Sequence, residues 1–143
     1  MENRGRYARK LASQMWGEVQ HQKKIVDGIW WFDTASHGGY IVDTEVYRQF
    51  AHMNQLVLRT KNSHYGLIDE QGFAPFEEDC DAMLIEYMFS SAIAPDYYQN
   101  YKRNVREKLE DIMGYEEFLK EFREKRLNCL KHWRPEWVSR YNL

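Results

Sequence analysis

Apolar residues Tyr7, Leu11, Met15 and Val19 recur four apart, which predicts a helix over residues 4–20 with Arg6, Arg9 and Lys10 on its wet side. The period then changes. Asp27 and Gly28 read as a turn, 29–34 as a β-rich aromatic run and 40–42 as a second short strand, joined by a tight connection through Ala35, Ser36, His37, Gly38 and Gly39. Asp43 and Thr44 suit the cap of a short helix reaching about Met53. Residues 56–60 and 65–68 read as two further strands.

Helical spacing returns in the second half. Cys80, Met83, Leu84, Tyr87, Met88 and Ser91 share one stripe, with Glu77, Glu78 and Asp79 in the first turn and Pro95 as the expected stop. Tyr98, Lys102, Val105, Leu109, Ile112 and Met113 continue a stripe that Gly114 is expected to terminate. Tyr115, Phe118, Leu119, Phe122, Leu127 and Leu130 mark a third long helix ending before Pro135, and Trp133, Trp137 and Tyr141 form an aromatic tail. No repeat or linker divides the chain. The expected fold is therefore a single α+β domain over residues 1–143: a small, largely antiparallel sheet packed by helices, with a helical C-terminal half.

Composition narrows the functional classes. With 43% hydrophobic and 15% aromatic residues among 143, the chain can bury a core, so disorder as a whole is excluded. The net charge of -2 excludes a strongly basic nucleic-acid coat. That mean hides a pattern: residues 1–24 carry a net +4, 25–98 a net -9 and 99–143 a net +3. Cys80 and Cys129, the two cysteines, form neither a disulfide framework nor a CxxC pair. No stretch approaches the roughly 18 apolar residues of a membrane span. A soluble cytoplasmic protein without a membrane partner is expected.

The most distinctive stretch runs from Trp31 through Thr34, Ser36, His37, Gly38 and Gly39 to Val42. It resembles the W-x-x-T-x-S-H-G-G signature of an uncharacterised domain scattered through phage, plasmid and bacterial proteins, and the resemblance implies a mobile-element origin. Physically, Gly38 and Gly39 permit positive φ at a hairpin apex, where Ser36 and Thr34 can hold His37 by hydrogen bonds. The chemical alternative makes His37 a general acid or base, or a metal ligand, beside Asp33, Asp43 or Glu45. His-Gly-Gly is also found in esterase oxyanion loops, but the chain has no G-x-S-x-G elbow, phosphate loop, GxGxxG or HExxH. No cofactor or metal centre is expected, and binding is favoured over catalysis.

Between Asp69 and Glu86 stand seven acidic residues, Asp69, Glu70, Glu77, Glu78, Asp79, Asp81 and Glu86, and no Lys or Arg. Presented together, they would suit a protein or ribonucleoprotein partner with a basic surface. Together with the mobile-element origin that the resemblance implies, this favours a small phage or mobile-element accessory protein, in the host cytoplasm if phage-encoded, with inhibition of a host defence nuclease, in the manner of an anti-CRISPR protein, as the concrete case. A small hydrolytic or nucleolytic enzyme using His37 is the alternative. A nucleic-acid-binding module using the basic N-terminal helix and Lys102, Arg103, Arg106 and Lys108, with Tyr97, Tyr98 and Tyr101 for base stacking, is weakened by Glu107, Glu110 and Asp111 alongside. Trp133, Trp137 and Tyr141 could pack inward or join two copies of the chain.

Overall fold

The computed structural model describes residues 4–47, 72–78, 81–105, 112–140 and 142–143. The chain divides into two compact units, Met1–Ala82 and Met83–Leu143. The first contains α1 (Arg4–Trp16), β1 (His21–Val26), β2 (Ile29–Asp33), β3 (Gly38–Asp43), the single turn α2 (Thr44–Tyr47) and β4 (Phe73–Glu77). The strands form one antiparallel sheet in the order β1-β2-β3-β4. With the helices of the second unit this is an α+β fold whose C-terminal half is helical, as the sequence predicts.

α1 is shorter than its periodicity suggests and is turned about its axis. Gly17, at φ 101°, takes the left-handed conformation that ends a helix, and its N–H donates to the Ser13 carbonyl at 3.1 Å. The buried stripe is Ala8, Ala12 and Trp16, with Tyr7 and Leu11 along its flank and Met15 exposed. Two alanines let the helix backbone approach the sheet, so the contact line runs through small residues that a count of large apolar positions passes over. Phe32, Ile41 and Phe73 are wholly buried beneath it. Each is worth about 1.5–3 kcal/mol of transfer free energy.

Two strands depart from expectation. β1 is exposed at His21, Gln22, Lys23 and Lys24, as an edge strand can be, so it carries no alternating pattern. β4 occupies residues expected to lead into a helix, and Pro75 sits inside it; a proline is tolerated there because β4 pairs with β3 and with no other strand among the described residues. The next helix starts at Asp81, not Glu77. The expected strands at 56–60 and 65–68, and most of the helix reaching Met53, lie outside the described residues.

α3 (Asp81–Met88) leads into the second unit, which holds α4 (Ser90–Asn104), α5 (Tyr115–Trp133) and α6 (Pro135–Arg140). Pro95 does not end a helix. It lies inside α4, and the break falls at Phe89 (φ -114°, ψ 33°). Pro95 leaves the Ser91 carbonyl without its helical donor, and both residues are exposed, so water can take that place. Gly114 opens α5 instead of closing the helix before it, and Pro135 begins α6, where a missing N–H costs nothing. α5 buries Phe122 and Leu130 of its predicted stripe. No helix among the described residues is long and apolar enough to cross a membrane.

The tyrosines considered for base stacking take part in this packing. Tyr98 donates to the Met113 carbonyl and Tyr101 accepts from the Met113 N–H, each at 3.0 Å, while Tyr97 donates to Glu86 at 2.6 Å. The aromatic tail is not one face: Trp133 ends α5 at 63% exposure, Trp137 lies beyond the break at Arg134 and is buried, and Tyr141 is outside the described residues. Of the basic residues considered with those tyrosines, Lys102 lies 4.8 Å over the Tyr98 ring, Arg103 is exposed, and Arg106 and Lys108 are outside the described residues.

Candidate functional site

The distinctive motif is a device for holding one histidine. Residues Thr34 to His37 form the turn between β2 and β3, closed by the Thr34 N–H donating to the His37 carbonyl at 2.8 Å and the His37 N–H donating to Thr34 Oγ1 at 3.1 Å. The Thr34 hydroxyl also lies 3.1 Å from the His37 carbonyl as a donor. Ser36 is exposed in the turn and plays no comparable part.

Gly38 and Gly39 are not the apex. Both lie in β3, opposite Asp33 and Phe32, and neither has positive φ. Their lack of a side chain serves close approach instead. A Cβ on Gly39 would lie 2.6 Å from the Trp16 ring and 2.6 Å from the Phe76 carbonyl; one on Gly38 would lie 2.9 Å from the Trp31 ring. Trp31 is fixed in turn by its indole N–H, which donates to Asp33 Oδ1 at 2.8 Å, and by edge contact with Tyr40.

The His37 ring is held from a strand further along the chain. β4 pairs with β3 so that Glu77 stands opposite Gly39, two residues on from His37 and on the same side of the sheet. Glu77 Oε1 meets His37 Nδ1 at 2.6 Å, with the two side chains 42% and 47% exposed. Nε2 has no partner among the described residues. The pair opens on a cleft of about 240 Å³, lined also by Met15, Trp16, Pro75 and Asp81.

The other carboxylates proposed for His37 are used elsewhere. Asp33 receives the Trp31 indole. Asp43 is buried and bound by Arg4 at 2.5 and 2.8 Å, while its Oδ1 also caps α2 through the Glu45 N–H at 3.1 Å. Arg4 lies over the Phe73 ring as well, so this pair fastens the first turn of α1 to the sheet. Glu45 is exposed.

The acidic stretch is split. Glu77 faces His37, Glu78 is exposed with its carboxylate beside Gly38, and Asp81 lines the cleft. Glu86 is buried in the second unit between Tyr97 and Arg126, so it cannot meet a partner. Asp69, Glu70, Asp79 and Cys80 are outside the described residues. Among the described residues no group of three or more His, Cys, Asp or Glu side chains is arranged to hold a metal ion.

Sequence reasoning missed Glu77 as the partner of His37, together with the cleft walls. The available signal was Phe73–Glu77 itself, an aromatic run that reads as a strand once Pro75 is allowed at an edge. A family model described as a domain of unknown function (DUF7007) matches residues 9–137. No curated protein and no solved structure matches the chain.

Proposed function

Taking as premise that the chain belongs to this family, whose description assigns no function, we propose that it is a small hydrolytic enzyme in which His37, oriented by Glu77, moves the proton. The observation that carries the reading is the 2.6 Å contact between Nδ1 and a carboxylate at the edge of a cleft. A carboxylate on Nδ1 favours the tautomer with its proton there, leaving the Nε2 lone pair to accept. As water attacks an electrophilic carbon, Nε2 takes the proton of the water and later gives it to the leaving group, and Glu77 stabilises the imidazolium between these steps. The motif supports this reading, because Trp31, Thr34, Gly38 and Gly39 are accounted for by packing or backbone bonding and the ring of His37 is not.

A panel of ester, amide and glycoside substrates, run with the whole chain, tests the proposal. His37→Gln is expected to lower turnover by roughly 100-fold or more and Glu77→Gln by less, with folding unchanged. Turnover that survives in folded His37→Gln refutes it. Long-range nitrogen NMR of the imidazole supplies a second check, since Glu77→Gln should reduce the share of the tautomer protonated at Nδ1.

Glu78 and Asp81, at the same end of the unit, favour a second reading. On it, a phage or mobile-element accessory protein binds a basic surface of a protein or ribonucleoprotein, such as a defence nuclease, and inhibits it. Purified protein added to such a nuclease should slow cleavage, and Glu78→Lys with Asp81→Lys should abolish the inhibition. Inhibition indifferent to both charges would remove this reading.

A further inference from the structure

We infer that the cleft beside His37 takes the hydrocarbon chain of an uncharged acyl compound, and that Met15 is the residue that selects for it. The inference rests on the site proposed above and names its substrate class. Met15 falls in the apolar stripe read from the sequence, yet the fold leaves it 44% exposed. The reason is geometric. α1 is rotated so that Ala8, Ala12 and Trp16 meet the sheet, and this turns Met15 out of the core and into the lining of the cleft. Of the large apolar side chains exposed among the described residues, Met15, Val46, Tyr97 and Trp133, it alone stands in the cleft that holds His37.

The rest of the lining is either engaged already or carbon. Glu77 lies on His37 Nδ1, and Asp81 has a contact of its own. Trp16 is buried with its ring against Gly39, and Pro75 is buried in β4 on the same side of the sheet as Gly39, so both are fixed parts of the wall. Among the described residues no Lys or Arg lines the cleft. A charged head would give up its hydration to groups already taken, whereas a methylene chain covers the exposed thioether and loses nothing polar. Methionine suits that task, since an unbranched thioether repacks around chains of different length. The volume of 240 Å³ is the share of about eight water molecules in the liquid, room for a chain of about six carbons. Chain and proton then meet on one molecule. Water adds to the carbonyl carbon as Nε2 takes its proton, the bond to the leaving oxygen breaks, and Nε2 returns the proton to that oxygen, so that an ester gives an acid and an alcohol.

Two series of uncharged esters test the inference with the whole chain: methyl acetate, butanoate and hexanoate, and the methyl, butyl and hexyl acetates. In at least one series kcat/KM is expected to rise about twofold for each methylene added, less than full burial would give because the cleft opens to solvent. The series that rises assigns the chain to the acyl or the alcohol side. Met15→Gln should flatten the rise and Met15→Leu should keep most of it; Met15 is exposed, so neither should cost the fold. Binding is read apart from turnover, by NMR titration of the labelled chain. Hexanamide should shift the Met15 methyl and His37 ring signals saturably and bind about tenfold more tightly than acetamide, with hexanoate and hexylammonium both weaker than hexanamide. Hexanamide no tighter than acetamide, a charged probe equal to or tighter than hexanamide, or a chain preference unchanged in Met15→Gln would overturn the inference. A hexanamide preference that persists where His37→Gln leaves turnover unchanged would refute the proton-transfer reading alone. Turnover that depends on His37 but is flat across both series, with no preference for hexanamide, would refute this inference alone.

Discussion

Glu77 and Glu86 belong to one acidic stretch of sequence and meet opposite environments. Glu77 is half exposed on an edge strand of the first unit, with an imidazole as its partner and a cleft beside it. Glu86 is 3% exposed in the second unit, where the Tyr97 hydroxyl reaches it at 2.6 Å and Arg126 lies over the Phe122 ring at 3.6 Å with its Nε toward the carboxylate. One carboxylate is placed where it can act on something outside the fold, and the other is consumed by it. Local charge density does not distinguish the two; the element carrying each residue does.

The comparison breaks most visibly in stability. Arg126→Met takes the guanidinium away from a buried carboxylate, and about 3 kcal/mol of destabilisation is expected, measured by urea unfolding. Glu77→Gln should cost under about 1 kcal/mol in the same experiment, since an exposed pair gains little against water. Equal losses would mean that Glu77 is structural too, and the case for chemistry at His37 would lose its main support.

Gly39→Ala sharpens the first half of the comparison. The added methyl must displace the Trp16 ring or the Phe76 backbone, at a cost of about 2 kcal/mol. Because Trp16 also walls the cleft, the signals of Met15 and His37 should shift with it. Thr34→Val comes next: it removes the hydroxyl that ties the turn, for about 1 kcal/mol, while Thr34→Ser should retain most of that. Turnover restored by Ser but not by Val would mark Thr34 as a positioning residue for His37.

What could be read in advance follows from where each signal resides. β2, β3 and α5 announce themselves because their patterns are local: an aromatic β-rich run, a second run after the glycines, and a stripe from Tyr115 to Leu130. β1 is legible only from its neighbours, being exposed along most of its length, and β4 is disguised by Pro75 and by acids that suit a helix start. His37 could be singled out from the motif, but its partner depends on strand pairing across a long separation in sequence. Asp33 and Asp43 were closer in the chain and were already committed to other bonds. The α1 face was misplaced for a similar reason, since Ala8 and Ala12 contribute by being small.

The smallest expected effect lies at the far edge of the sheet, in the turn between β1 and β2. There Lys24 meets Asp27 at 2.6 Å, and its hydrogen bond and charge hold the Asp27 carboxyl below the usual carboxylate range. A carboxyl whose pKa is depressed by folding adds stability above its unfolded pKa, near 4, and loses that contribution as pH falls through the lower folded value. Asp27→Asn should therefore shift the urea midpoint slightly at pH 7 and not at all well below pH 4, where both chains carry a neutral side chain. Asp27 is fully exposed, so the shift should also fade with added salt. A midpoint difference that persisted in strong acid would instead tie Asp27 to the turn by its hydrogen bonding. Exposed charge pairs would then matter in this sheet through geometry, and the small cost assigned to Glu77→Gln would have to be revised upward on the same grounds.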